Sequence, residues 1–138
     1  MCNGECRCGS GTPCALSTFM PAGVHILRRD DRPATKSRTL KFEGGAYGVD
    51  LSFFAVHAKP GSGPDLHVHP YAEVWVVRRG RASFQAGGEE LLAGPDDIVV
   101  VATSVPHKFV SIGDEPLDMV CIHDSGRIEQ VMLEGATE

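Results

Sequence analysis

No stretch of twelve or more residues in this chain carries apolar side chains at a 3.6-residue period. Apolar runs are short instead, and nearly every one stops at glycine or proline. An amphipathic helix needs the longer period, whereas a strand needs only a few residues between turns. The segments "RTLKFEGG", "GVDLSFFAVHAKPG", "AEVWVVRRG", "RASFQAGG", "DIVVVATSVPHKFVSIGDEP" and "LDMVCIHDSG" all read as strands. "GVHILRR" reads as a first strand, and "RIEQVMLEG" as either one or two helical turns or a final extended piece. Passing through Gly80, "AEVWVVRRG" and "RASFQAGG" have the spacing of a hairpin. Strands of this kind imply an all-β antiparallel sandwich or barrel.

With 138 residues the chain can enclose one real core. No repeat or interdomain linker interrupts it, so residues 1–19 are expected to be a tail and residues 20–138 a single barrel domain. The tail holds Cys2, Cys6, Cys8 and Cys14 among glycines. Their spacing is not the paired C-x2-C of a zinc ribbon. A glycine-rich thiol-bearing tail, a soft-metal thiolate cluster, disulfide chemistry and a domain opening at Met20 all stay open. Cys121, alone in an apolar strand, reads as a small buried side chain.

A net charge of −5, with no basic run longer than two residues, argues against a nucleic-acid partner. No apolar run reaches the roughly 18 residues that would cross a bilayer, and no secretory leader is recognisable. The expected location is the cytoplasm.

Only six histidines occur, yet "GPDLHVHPYAEVWVVRRG" places His67 and His69 one residue apart, with Glu73 four residues on. In an extended chain, residues i and i+2 share a face. Pro70 favours a bend after them, from which Glu73 can return to the same interior. Two imidazoles and a carboxylate so placed are either three metal ligands or a polar surface group, and H-x-H alone does not decide.

The stretch resembles the first motif of the cupin superfamily, G-x5-H-x-H-x3-E-x6-G, complete here as Gly61, His67, His69, Glu73 and Gly80. The second cupin motif, G-x5-P-x-G-x2-H-x3-N, has its counterpart in "DDIVVVATSVPHKFVS". His107 stands there at the ligand position, while Asp96, Ala102, Ser104 and Ser111 replace the Gly, Pro, Gly and Asn. The resemblance spans roughly Leu51 to Asp124. It implies a jelly-roll barrel (a double-stranded β-helix) with a divalent transition metal, Fe, Mn, Ni, Zn, Co or Cu, on His67, His69, Glu73 and His107. If the Ser104 turn needs a positive φ, serine fills it at some cost.

By alternation Trp75 and Val77 share the face of Glu73, and Phe109 shares that of His107. These three are expected to wall a substrate pocket or to be ordinary core. His57 and His123, near the ends of apolar strands, are candidate catalytic acids or bases, with a hydrogen-bonded rim position as the alternative. Tyr71 is placed on the rim, and nothing near His25 suggests chemistry. What the resemblance implies is a metal-dependent enzyme on a small oxygen-rich molecule, a dioxygenase before an isomerase, lyase or cyclase. The alternative is a non-catalytic binding module. A small-molecule partner and a homodimer complete the expectations, with "GVHILRR" as an edge strand to be covered.

Overall fold

The computed structural model describes residues 23–32 and 37–133. The tail cysteines Cys2, Cys6, Cys8 and Cys14 lie outside them. The chain divides into two compact units, residues 1–34 and 35–138, and every described strand belongs to the second unit. No described helix is long and apolar enough to cross a membrane.

Ten strands form two antiparallel five-stranded sheets. They are β1 (Leu40–Glu43), β2 (Ser52–Ala58), β3 (His67–Val68), β4 (Glu73–Arg79) and β5 (Arg81–Ala86), followed by β6 (Glu89–Ala93), β7 (Ile98–Val101), β8 (His107–Ile112), β9 (Leu117–His123) and β10 (Val131–Met132). One sheet runs β1-β2-β9-β4-β7 and the other β10-β3-β8-β5-β6. This is the expected all-β jelly roll.

Two expectations are corrected. "GVHILRR" forms no strand; Arg29–Asp31 is a short 3-10 turn instead. Apolar content alone did not make it a ladder. Second, β4 and β5 are not a hairpin. Both edges of β4 are taken, by β7 and β9, so the chain crosses to the other sheet at Gly80. Gly80 has φ +79°, and a Cβ there would lie 2.4 Å from the Pro116 carbonyl oxygen. "RIEQVMLEG" contributes the extended piece β10, not a helix.

Alternation along the strands builds the core between the sheets. Trp75 and Val77 from β4, Met119 and Cys121 from β9 and Val101 from β7 face Phe84 and Ala82 from β5 and Phe109 from β8. The rings of Trp75 and Phe84 stack across the gap at 4.6 Å. Burying side chains of this size stabilises the fold by roughly 1.5–3 kcal/mol each. The same registers bring Glu73 opposite His123, and His67 opposite His107.

Candidate metal centre

His67, His69, Glu73 and His107 converge inside the barrel, all buried, with one ligand atom from each within 4.8 Å of the others. His67 opens β3, Glu73 opens β4 and His107 opens β8, while His69 lies just beyond β3. The rings of His67 and His69 nevertheless share one side, 4.9 Å apart, as the i, i+2 argument expects.

Backbone carbonyls set the tautomer of each imidazole. His67 Nδ1 donates to the Asp65 carbonyl, His69 Nδ1 to that of Glu129 and His107 Nδ1 to that of Val105, each at 2.7 Å. A carbonyl can only accept, so the Nδ1 atoms carry the protons and the Nε2 lone pairs face inward. Glu73 Oε2 lies 3.2 Å from His69 Nε2 and 2.9 Å from His107 Nε2. None of these three atoms has a hydrogen-bond partner. Electron pairs brought this close in a buried site, with no proton between them, are stabilised by a cation. The donor set of three nitrogens and one oxygen fits a divalent transition ion.

The site's electrostatics agree. Burial alone would raise the Glu73 carboxyl, but the imidazoles of His107, His123 and His69 outweigh it and hold Glu73 well below the usual carboxylate range. Burial pushes His67 below the ordinary imidazole value, against the Asp65 carbonyl, and so favours the neutral, ligating form.

The other oxygen of Glu73 is held in place. Trp75 Nε1 donates to Oε1 at 2.6 Å. Trp75 is therefore a partner of the ligand as well as a wall of the cavity, a role the E-x-W alternation already permitted. Tyr71 is buried rather than on the rim, because the chain bends inward after Pro70. Its hydroxyl accepts the Glu129 N–H at 3.1 Å and lies 2.9 Å from His123 Nδ1. With that acceptance made, the phenol proton goes to His123 Nδ1, and the proton of a neutral His123 sits on Nε2. Burial raises the Tyr71 phenol, which keeps it a donor. His123 Nε2 lies 3.1 Å from Glu73 Oε1 but off the line of a hydrogen bond, and it has no other partner. The backbone acceptor and donor of Glu129 had no signal in the sequence.

A cavity of about 780 Å³ opens from this cluster to solvent. Phe54, Val56, Trp75, Phe109 and Cys121 supply apolar walls, and His67, Glu73 and His123 lie at its floor. Burial pushes the Cys121 thiol far up, so it stays a neutral wall group. Val77, paired with Met119 further along β4, lies in the closed core and does not line the cavity. His57 reaches the cavity rim, where its Nδ1 meets Asp118 Oδ1 at 2.5 Å. In the register of β2 with β9, His57 is five residues along from Ser52, the partner of His123. That is on the order of 17 Å along the strand, outside direct reach of the ligand cluster.

The drifted second motif keeps its backbone. Asp96 and Ser104, standing where the motif has glycine, both adopt positive φ, +68° and +62°. The Ser104 N–H donates to the His69 carbonyl at 3.0 Å, which ties this turn to a ligand. Ser111, in the place of the motif's Asn, is buried with its hydroxyl unpartnered.

The chain is similar to solved oxalate decarboxylases. A variant of the Bacillus subtilis enzyme superposes with a TM-score of 0.64 at 21% identity, over 73% of this chain and 29% of that one. The Lactobacillus farciminis enzyme in its formate complex gives 0.63 at 21%, over 74% and 32%. The Bacillus subtilis enzyme characterised through its Mn(II) centres gives 0.63 at 22%, over 73% and 29%. The chain thus spans about three tenths of the length of these decarboxylases, and the likeness is one of fold. No curated protein sequence matches it. The family profile of the cupin domain matches residues 54–123, just over half of the chain. That span runs from the first cavity wall on β2 to His123 and encloses all four ligands, and the chain belongs to the cupin family.

Proposed function

We propose that the protein is a metal-dependent enzyme that acts on a small, oxygen-rich, anionic molecule, with the ion held by His67, His69, Glu73 and His107. The observation that carries this reading is the convergence of three unpartnered acceptor atoms, His69 Nε2, His107 Nε2 and Glu73 Oε2, in a buried cluster whose members His67 and Glu73 line an open cavity. A divalent ion held there would supply Lewis-acid polarisation of a substrate oxygen or one-electron chemistry with dioxygen.

The chain's own residues do the rest. Three neutral imidazoles and one carboxylate leave a divalent site with net positive charge, which favours a chelating anion. Trp75 holds the carboxylate by one oxygen so that the other faces the site. His123 offers an Nε2–H beside the cluster, a second polar group within reach of a bound ligand. Its presence supports an enzyme over a passive binder, because a binder does not need it. The apolar walls exclude water and lower the local dielectric around the reacting group.

Oxidation by dioxygen is the reaction type we favour, since an apolar cavity suits an apolar co-substrate. Decarboxylation, the activity named for the structural neighbours, is the second reading. It requires a proton to replace the lost carbon dioxide, and with Glu73 taken as a metal ligand His123 is the lining residue that could supply it. A cavity of about 780 Å³ lies in the range of drug-sized ligands, far larger than a two-carbon diacid needs. A homodimer and a cytoplasmic location belong to the same proposal.

The test is metal analysis of untagged protein. It is followed by oxygen uptake, and separately by anaerobic carbon dioxide release, over 1,2-diketones, catechols and 2-oxo acids. Stoichiometric metal with oxygen uptake supports the first reading, and anaerobic carbon dioxide release the second. Metal with neither reaction leaves a binding module, and protein that takes up no metal overturns the proposal.

A further inference from the structure

The floor and walls of the cavity are explained by the metal site, but its mouth holds charges that this site does not use. Lys59, just past the end of β2, and Arg38, on the approach to β1, both line the mouth and are exposed. Among the described residues neither side chain has a hydrogen-bond or ion-pair partner. Three other cations of the barrel are paired, Lys41 with Glu43, Arg78 with Asp96 and Arg79 with Glu115, while Arg81 and Arg127, which have no ion pair, do not line the cavity. At the same rim Asp118 is engaged by His57. Among the described lining residues the only carboxylate, Glu73, belongs to the metal cluster.

A lone exposed cation is ordinary solvated surface. Two unpaired cations at the mouth of one cavity, in a chain of net charge −5, are not offset by any lining acid. Apolar walls beneath them focus their field into the cavity. The two charged ends of the cavity are also far apart. Lys59 follows Ser52, the partner of His123, by seven residues along β2, which is on the order of 20 Å of extended chain. Phe54 and Val56 line the space between. A compact diacid held at the floor does not reach the rim.

We propose that Arg38 and Lys59 form a second anion subsite. The ligand is then an elongated molecule with chelating oxygens at the floor, an apolar or aromatic body against Phe54, Trp75 and Phe109, and an anionic group at the rim. The chelating end rests on the function proposed above; the rim subsite is a separate claim about the far end of the ligand.

The experiment uses metal-loaded protein of measured metal content. The probes are oxalate, phenylpyruvate, and 4-carboxyphenylpyruvate with homologues that place one to four methylenes between ring and carboxylate. Phosphonate counterparts form a second arm. Trp75, the only tryptophan, lines the cavity and reports binding by fluorescence. A tail of matching length should bind about tenfold more tightly than phenylpyruvate, within the range for two exposed charge pairs. That gain should fall as salt is raised. It should vanish in the Arg38→Met/Lys59→Met double variant, with phenylpyruvate affinity and metal content unchanged. Either kind of anionic tail supports the subsite. No gain at any tail length, or a gain that survives in the double variant, overturns it. If metal-loaded protein binds none of the probes, the subsite and the chelating reading both fail. If the protein holds no metal, the reading of the floor fails, and a tail-dependent response that is still lost in the double variant upholds the rim alone.

Discussion

At the scale of single residues, the metal site is an arrangement of lone pairs with each proton assigned by a backbone carbonyl. Replacing His69 by Ala removes one of four ligands from a cavity whose walls are already built. The variant should lose most of its metal while keeping its strand circular dichroism and a cooperative melt, as elemental analysis and thermal unfolding will check. Trp75 is a sharper probe, because it touches the ligand without being one. Trp75→Phe removes the hydrogen bond to Glu73 Oε1 and lets the carboxylate rotate. Metal affinity should fall about 10- to 100-fold, the usual cost of losing an outer partner of a ligand, measured by chelator competition. Acidity acts on the same atoms. Metal binding requires neutral imidazoles, so metal should be retained at neutral pH and lost as pH falls through the imidazole range, with up to about three protons taken up per ion released. The depressed value of His67 keeps that ligand neutral further into acid. A release that did not depend on pH would remove the histidines from the site.

At the scale of elements, the turns bear the strain. Gly80 turns the chain from one sheet to the other with a positive φ and the Pro116 carbonyl oxygen where a Cβ would have to stand. Gly80→Ala should destabilise the barrel by about 2 kcal/mol or more, from backbone strain plus the clash. Ser104 is the reverse case, a residue with a side chain in a left-handed turn. A left-handed residue costs roughly 1–2 kcal/mol when it is not glycine, and glycine returns roughly 0.4–1 kcal/mol of that through the entropy of the unfolded chain. Ser104→Gly should therefore stabilise the barrel by about 0.5–1 kcal/mol, a rise of a few degrees in Tm. The Ser104 N–H that holds the His69 carbonyl stays in place, so metal affinity should not change.

At the scale of the whole molecule, the outer face of the sheet β1-β2-β9-β4-β7 is apolar across its width. Opposite the inward set, the registers align Phe42, Phe53, Ile122, Val74 and Val100 in one row. Ile98 and Val100 on the edge strand β7 are 64% and 70% exposed. A face of this kind is the natural seat of the proposed homodimer, which would need to bury about 800 Å² per partner. The wild type should run as a dimer in light scattering at micromolar concentration, and Val100→Asp should shift it to monomer with metal content intact. A monomeric wild type would remove the dimer from the proposal.

The sequence by itself determined the fold class and, through its family resemblance, pointed to the ligand set. Short apolar runs ending at Gly or Pro favour strands, and the spacing of His67, His69 and Glu73 survives any reasonable bend because strand alternation is local. His107 was legible because its motif is local too, even with Asp96 and Ser104 in glycine positions. What depended on partners far away in the chain was decided only in three dimensions. Gly80 has the local spacing of a hairpin, but β4 was already paired on both edges, so the turn became a crossing between sheets. Tyr71 is exposed by local polarity, yet a distant backbone N–H and His123 gave its hydroxyl two partners and drew it inside. His57 and His123 are equivalent in sequence, each near the end of an apolar strand. The pairing of β9 with β2 placed one at the rim beside Asp118, and its pairing with β4 placed the other against Glu73. Local pattern fixes which way a side chain points, and only the assembled sheets fix what it meets there.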